Sequence, residues 1–266
     1  MIFCSINGKE ISDLAVNDRG LAYGDGLFTT AKVKDGQVDM LEQHVNRLIK
    51  GCLFLGIDIE HLGDIKKQII SSALTYDLAV LKVIITAGSG GRGYSRVGLS
   101  KQSSNLIIII SDFPTHYFAL AETGITLAVS KQAISISPML SGLKHLNRLE
   151  QVLLRQELDS QPVDDLVVSN ANNEVIETTC ANIFYLRDNR WHTPDVSLSG
   201  VNGLMRQKII NLLGNIKVSS TSIEELMSAK EIFICNSIMG ILPVKRLAQN
   251  ELLMSQSKRI RDQLID

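Results

Sequence analysis

No stretch of this sequence stays apolar for the roughly 18–20 residues that a membrane-spanning helix requires. The longest greasy run, Leu106–Ile110, is short and rich in β-branched residues, which predicts a buried strand. Charge of one sign is also lacking. With 27 basic and 28 acidic residues the formal net charge is −1, leaving no electrostatic footprint for nucleic acid or an anionic membrane. Cysteine is scarce: four residues, at positions 4, 52, 180 and 235, with no CxxC spacing. That argues against a zinc site and against a disulfide scaffold. The first residues lack the basic start and apolar core of a signal peptide, so reduced thiols in the cytoplasm are expected. What remains is a chain of 266 residues with 45% hydrophobic content and only 5% aromatic. Such a chain can bury the core of one large or two modest domains.

The pattern along the chain predicts α/β architecture in two halves. Leu27 to Lys34, the pair Asp35-Gly36, and Gln37 to Met40 read as a hairpin, because Asp-Gly suits a type I′ turn. Val45, Leu48, Ile49 and Cys52 recur at helical spacing over 42–55, and a second amphipathic helix is expected over 61–75. Strands are expected at 81–87 and 106–111. Pro114 then interrupts the pattern, and we place an N-terminal domain at 1–113, a linker at 114–121 and a C-terminal domain at 122–266. The second half is richer in strands, with helices expected at 144–158, 204–213 and 222–229.

Two residues carry the chemistry. Lys144 stands before an apolar helical run, where burial can depress an amine enough to make it a nucleophile. Glu177 lies on an expected strand in Glu174-Val175-Ile176-Glu177 and offers a fixed carboxylate. Arg47, in His44-Val45-Asn46-Arg47, and the turn Gly200-Val201-Asn202-Gly203 before a helix complete the series.

In this order these segments resemble the fold-type IV pyridoxal phosphate enzymes, a group of branched-chain and D-amino acid aminotransferases and aminodeoxychorismate lyases. Three segments resemble the lyases in particular: Tyr23-Gly24-Asp25-Gly26-Leu27-Phe28-Thr29-Thr30, the glycine-rich Gly88 to Ser95, and Gly142-Leu143-Lys144-His145-Leu146-Asn147-Arg148. The resemblance implies a small N-terminal α/β domain, a larger strand-rich C-terminal domain and a site in the cleft between them. It implies pyridoxal 5′-phosphate as cofactor and no metal.

The resemblance also assigns roles. Lys144 would hold the cofactor aldehyde and act as base, and Glu177 would keep the pyridine nitrogen protonated. Arg47, the Leu204 and Met205 amides at a helix N-terminus, Asn236 and Ser237 would take the phosphate. Asn182 would lie near the cofactor, although five residues along one strand from Glu177 would place it on the opposite face unless a bulge intervenes. Arg92, with Tyr94 and Asn147, would meet the substrate, since guanidinium matches carboxylate bidentately. Thr29 and Thr30 stand where the aminotransferases tend to carry glutamate, and strand alternation lets only one face the pocket. The reaction implied is elimination on 4-amino-4-deoxychorismate to give 4-aminobenzoate and pyruvate, in a homodimer. A branched-chain or D-amino acid aminotransferase is the alternative.

Overall fold

The computed structural model describes residues 1–265, which form two compact units, each with its own sheet. The first unit is Met1–Phe113 together with Lys144–Asn147; the second holds Pro114–Leu143 and the described chain from Arg148 onward.

The first unit runs β1 (Phe3–Ile6), α1 (Arg19–Tyr23), β2 (Gly26–Lys34), β3 (Gln37–Val38), α2 (Leu41–Leu55), α3 (Ile65–Ala73), β4 (Leu78–Thr86) and β5 (Asn105–Asp112). Its strands are all antiparallel, in the order β1-β5-β4-β2-β3. The expected hairpin is present: Asp35 and Gly36 both have positive φ, 51° and 74°, as a type I′ turn demands. Along β2, Leu27, Thr29, Ala31 and Val33 are buried in the core shared with α2 and α3. Phe28, Thr30 and Lys32 alternate onto the other face. A slip of one residue would bury Lys32 in place of Ala31 or Val33, so burial fixes the register.

The second unit continues with α4 (His116–Thr123), β6 (Ile125–Ile134), α5 (Leu149–Leu158), β7 (Asp165–Asn170), β8 (Val175–Thr178), β9 (Asn182–Arg187) and β10 (Arg190–Pro194). Then come α6 (Leu204–Leu213), β11 (Lys217–Ser219), α7 (Ile223–Met227), β12 (Glu231–Asn236), β13 (Gly240–Leu247), β14 (Asn250–Glu251) and α8 (Ser255–Ile265). Eight strands are ordered β11-β10-β9-β12-β13-β6-β7-β8, with β14 added on β13. The β10–β11, β13–β6 and β6–β7 pairs are parallel, so this sheet mixes both senses. Phe184, Trp191 and Phe233 pack together in its core, the two phenylalanines stacked with centroids 4.8 Å apart.

Two expectations change. Most of 114–121 is helical, in α4, which packs on β13 of the second unit. The helix expected from Lys144 begins only at Leu149. Residues 144–146 are not helical because their backbone bonds go to β2: the Phe28 amide donates to the Lys144 carbonyl at 2.9 Å, and the Leu146 amide to the Gly26 carbonyl at 3.0 Å. Arg148, with φ −122° and ψ 26°, is the non-helical residue before the first turn.

Candidate active site

Lys144 therefore stands on a short non-helical segment laid along the start of β2. Its Nζ sits 4.5 Å from the centroid of the Phe28 ring, a cation–π distance. Lys82, paired with Thr30 across β2 and β4, brings a second amine to the same ring, at 5.0 Å. Thr30 shares the face of Phe28; Thr29 does not. The Thr29 hydroxyl is fully buried and lies 2.6 Å from Nδ1 of His44 on α2. Thr29 is thus committed to the core, and Thr30 is the one of the expected pair that lies on the Phe28 face. His44 was not singled out from sequence. Its ring is buried, Nε2 has no hydrogen-bond partner among the described residues, and its pKa is pushed down to about 3, by burial first and then by Arg47 and Lys144. One turn on, Arg47 is half-buried and burial lowers its guanidinium to about 10.

In the second unit the Glu177 side chain is buried on β8, and its Oε2 accepts from the Val201 amide at 3.1 Å. Asn182 opens β9, and its Nδ2 donates to the Val201 carbonyl at 2.9 Å. Both side chains thus converge on one residue of the Gly200–Gly203 turn. The opposite-face argument fails for a simple reason: a turn over 179–181 separates the two residues, so they lie on different strands. Gly200 has φ +78°, and a Cβ there would come within 3.1 Å of Glu177 Oε2; a Cβ on Gly203 would collide with the Asn182 amide. The turn leads into α6, whose N-cap Gly203 provides no side-chain acceptor and whose first turn has no acidic residue. The leading amides, those of Leu204 and Met205 included, form an anion-ready helix N-terminus. Asn236 is committed elsewhere. Its Oδ1 accepts from the Ile238 and Met239 amides, both at 2.9 Å, and its Nδ2 donates to the Cys180 carbonyl at 3.2 Å. The Ser237 hydroxyl makes no hydrogen bond among the described residues.

Residues 26–247 match the family model described as amino-transferase class IV. The chain is 36% identical over 252 residues to an aminodeoxychorismate lyase of Vibrio harveyi, covering 92% of each protein. A crystal structure of 4-amino-4-deoxychorismate lyase from Pseudomonas aeruginosa superposes with a TM-score of 0.92 at 32% identity, covering 98% of this chain and 97% of that one. A branched-chain amino acid aminotransferase from Escherichia coli shares the fold, with a TM-score of 0.83 at 20% identity over 99% of this chain and 92% of its own. The chain belongs to the aminotransferase class IV family.

In this class IV chain the glycine-rich loop 88–96 is a built structure. Gly88, Gly90, Gly91 and Gly93 all have positive φ, and a Cβ on Gly88 would collide with the Ser103 carbonyl. Asp25 pairs with both Arg19 and Arg96, and these two arginines together hold its carboxyl below the usual carboxylate range against the opposing effect of burial. Arg92 and Tyr94 project outward, with Tyr94 88% exposed and its ring edge-on to Tyr23 at 5.4 Å. Asn147 binds structure: its Nδ2 donates to the Gly24 carbonyl at 3.1 Å and its amide fills the space beside Gly24. Taken unit by unit, the donors are of the kinds that pyridoxal 5′-phosphate takes: an amine in the first unit, and a carboxylate, helix amides and a hydroxyl in the second. An amine over an aromatic ring, a buried carboxylate, an uncapped helix N-terminus and an uncommitted hydroxyl are what aldehyde, ring nitrogen and phosphate require. There is no cluster of metal-ligating side chains among the described residues.

Proposed function

We infer that this chain is a pyridoxal phosphate-dependent lyase that converts 4-amino-4-deoxychorismate to 4-aminobenzoate and pyruvate. The observation that carries the reading is the likeness to aminodeoxychorismate lyases at 36% and 32% identity over nearly complete chains, against 20% for the Escherichia coli aminotransferase. When bound, pyridoxal phosphate would supply an electron sink at the carbon that bears the substrate amine.

The chain's own residues do the rest. Lys144 would hold the cofactor aldehyde and, as a free amine, would take the proton from the amine-bearing ring carbon of the substrate. Phe28 lies against that amine, its ring centroid 4.5 Å from Nζ, and fixes where it stands. Glu177, oriented by the Val201 amide, keeps a proton on the pyridine nitrogen. Arg47, the Leu204 and Met205 amides and Ser237 take the phosphate, and Arg92 takes a substrate carboxylate. The carbon–oxygen bond to the enolpyruvyl group then breaks, pyruvate departs and the ring becomes aromatic with its amine retained. No amino acceptor is consumed.

The working protein is a homodimer in the cytoplasm. Support for a second copy comes from α5, which exposes Leu149, Val152 and Leu153 at helical spacing, 70%, 60% and 44% accessible. Light scattering of the purified protein tests that point. The function itself is tested by supplying aminodeoxychorismate, made from chorismate and glutamine by a separate synthase. Release of 4-aminobenzoate is expected; amino transfer to 2-oxoglutarate or pyruvate without that release would make the chain an aminotransferase.

A further inference from the structure

Arg19 has no role in the chemistry above, yet it is 3% exposed and every nitrogen of its guanidinium donates a hydrogen bond. Nε donates to Asp25 Oδ2 at 2.8 Å. Nη1 is shared among the carbonyls of Gly90, Gly93 and Ser95 at 3.3, 3.1 and 3.3 Å, and Nη2 donates to the Tyr94 carbonyl at 3.1 Å. The Arg19 amide adds a bond to the Gly88 carbonyl at 2.7 Å. A segment with four glycines in six positions has high conformational entropy and would not order itself. Here one buried side chain turns its carbonyls inward. With the carbonyls drawn in, the side chains of Arg92 and Tyr94 are left facing out. Only a planar fork of five donors can serve acceptors so distributed; a lysine ammonium has three donors at one point.

We propose that Arg19 is a positioning residue for substrate selection: it holds loop 88–96 in one shape and thereby presents Arg92 as a preset cation for a dicarboxylate substrate. The proposal rests on Arg92 being the carboxylate contact. Binding then requires no ordering of the loop when substrate arrives, so the contribution of Arg19 lies in KM and leaves the chemical step and the cofactor site alone.

The experiment uses the holoenzyme and compares wild type with Arg19→Gln, Arg19→Lys, Gly91→Ala and Arg92→Ala. Gly91→Ala attacks the clamp from the loop side, because its Cβ would crowd the Ser95 carbonyl and lie 3.0 Å from Arg19 Nη1, at a φ of +72°. It therefore remains informative if loss of the buried arginine prevents folding. Tryptic cleavage after Arg92 is expected to be slow in wild type and about tenfold or more faster in Arg19→Gln and Gly91→Ala, since cleavage tracks local opening. KM for aminodeoxychorismate should rise about tenfold in both, with kcat and cofactor affinity within about twofold, and Arg19→Lys should recover part of the loss. A freed loop with unchanged KM overturns the proposal, and so does a loop as protected as wild type in Arg19→Gln. If Arg92→Ala alone leaves KM unchanged, the reading of Arg92 fails instead.

Discussion

Arg92→Ala separates a substrate-binding loop from an idle one. The side chain is exposed and forms no ion pair among the described residues, so its removal should change folding stability by no more than about 0.5 kcal/mol. The loop backbone is held by Arg19, not by Arg92, so the variant should keep its shape. If a substrate carboxylate is desolvated against the guanidinium, the lost charge-assisted hydrogen bond costs roughly 1.5–3 kcal/mol, or about ten- to 150-fold in kcat/KM. If the contact stays at a solvated rim, an exposed ion pair is worth only about 0.2–1 kcal/mol, a factor of about 1.4 to 5. The larger range applies where substrate covers the side chain on binding, and the tenfold effect expected of Arg19→Gln requires that same covered contact. Steady-state release of 4-aminobenzoate, followed by fluorescence, decides between these ranges, and cofactor affinity measured by titration should not move. A variant indistinguishable from wild type would refute the assignment, and one that sheds cofactor would transfer the loop to the phosphate site.

Other outcomes follow from the same geometry. Borohydride reduction of the holoenzyme should place the pyridoxyl label on Lys144, and Lys144→Ala should abolish it; label on Lys82, which shares the Phe28 ring, would reassign the site. Thr29→Val should cost about 1–3 kcal/mol in urea unfolding, because His44 Nδ1 would lose its partner in the core, whereas Thr30→Val should reduce turnover with stability unchanged. Equal effects from the two would show that the strand faces do not divide the roles as described. His44, depressed to about 3, stays neutral in the fold while its unfolded form takes a proton below about 6.5; its contribution is complete above 6.5 and is lost as pH falls toward 3. His44→Asn should therefore flatten the stability profile between about pH 6.5 and 4, and an unchanged slope there would mean that the ring is not held neutral.

Much of the frame was legible because local chemistry decided it. Asp35-Gly36 gave the hairpin, and the apolar spacing of Val45, Leu48 and Cys52 gave α2. Lys144 was recognisable as a residue but not in its setting. Its neighbours carry helix-forming side chains, yet their backbone bonds are taken by Gly26 and Phe28, more than a hundred residues earlier in the chain. Propensity reads a segment against itself and cannot see such a partner.

The same blindness explains Glu177 and Asn182. Counted along one strand they oppose each other; in the fold a tight turn breaks the count, and both reach the backbone of Val201. What joins them is a turn of glycines whose missing Cβ atoms leave room for the two side chains. That turn then releases its chain into a helix start with no side-chain cap. The orientation of the Glu177 carboxylate and the start of α6 are therefore coupled through four residues, 200–203. A bulkier residue at Gly200 or Gly203 would disturb both at once. Arg19 makes a parallel case in the first unit, where one side chain fixes a loop seventy residues further along. In both units a mobile-looking glycine segment is ordered by a buried polar group distant in sequence. Composition registers the glycines as freedom, and only the fold supplies the constraint that removes it.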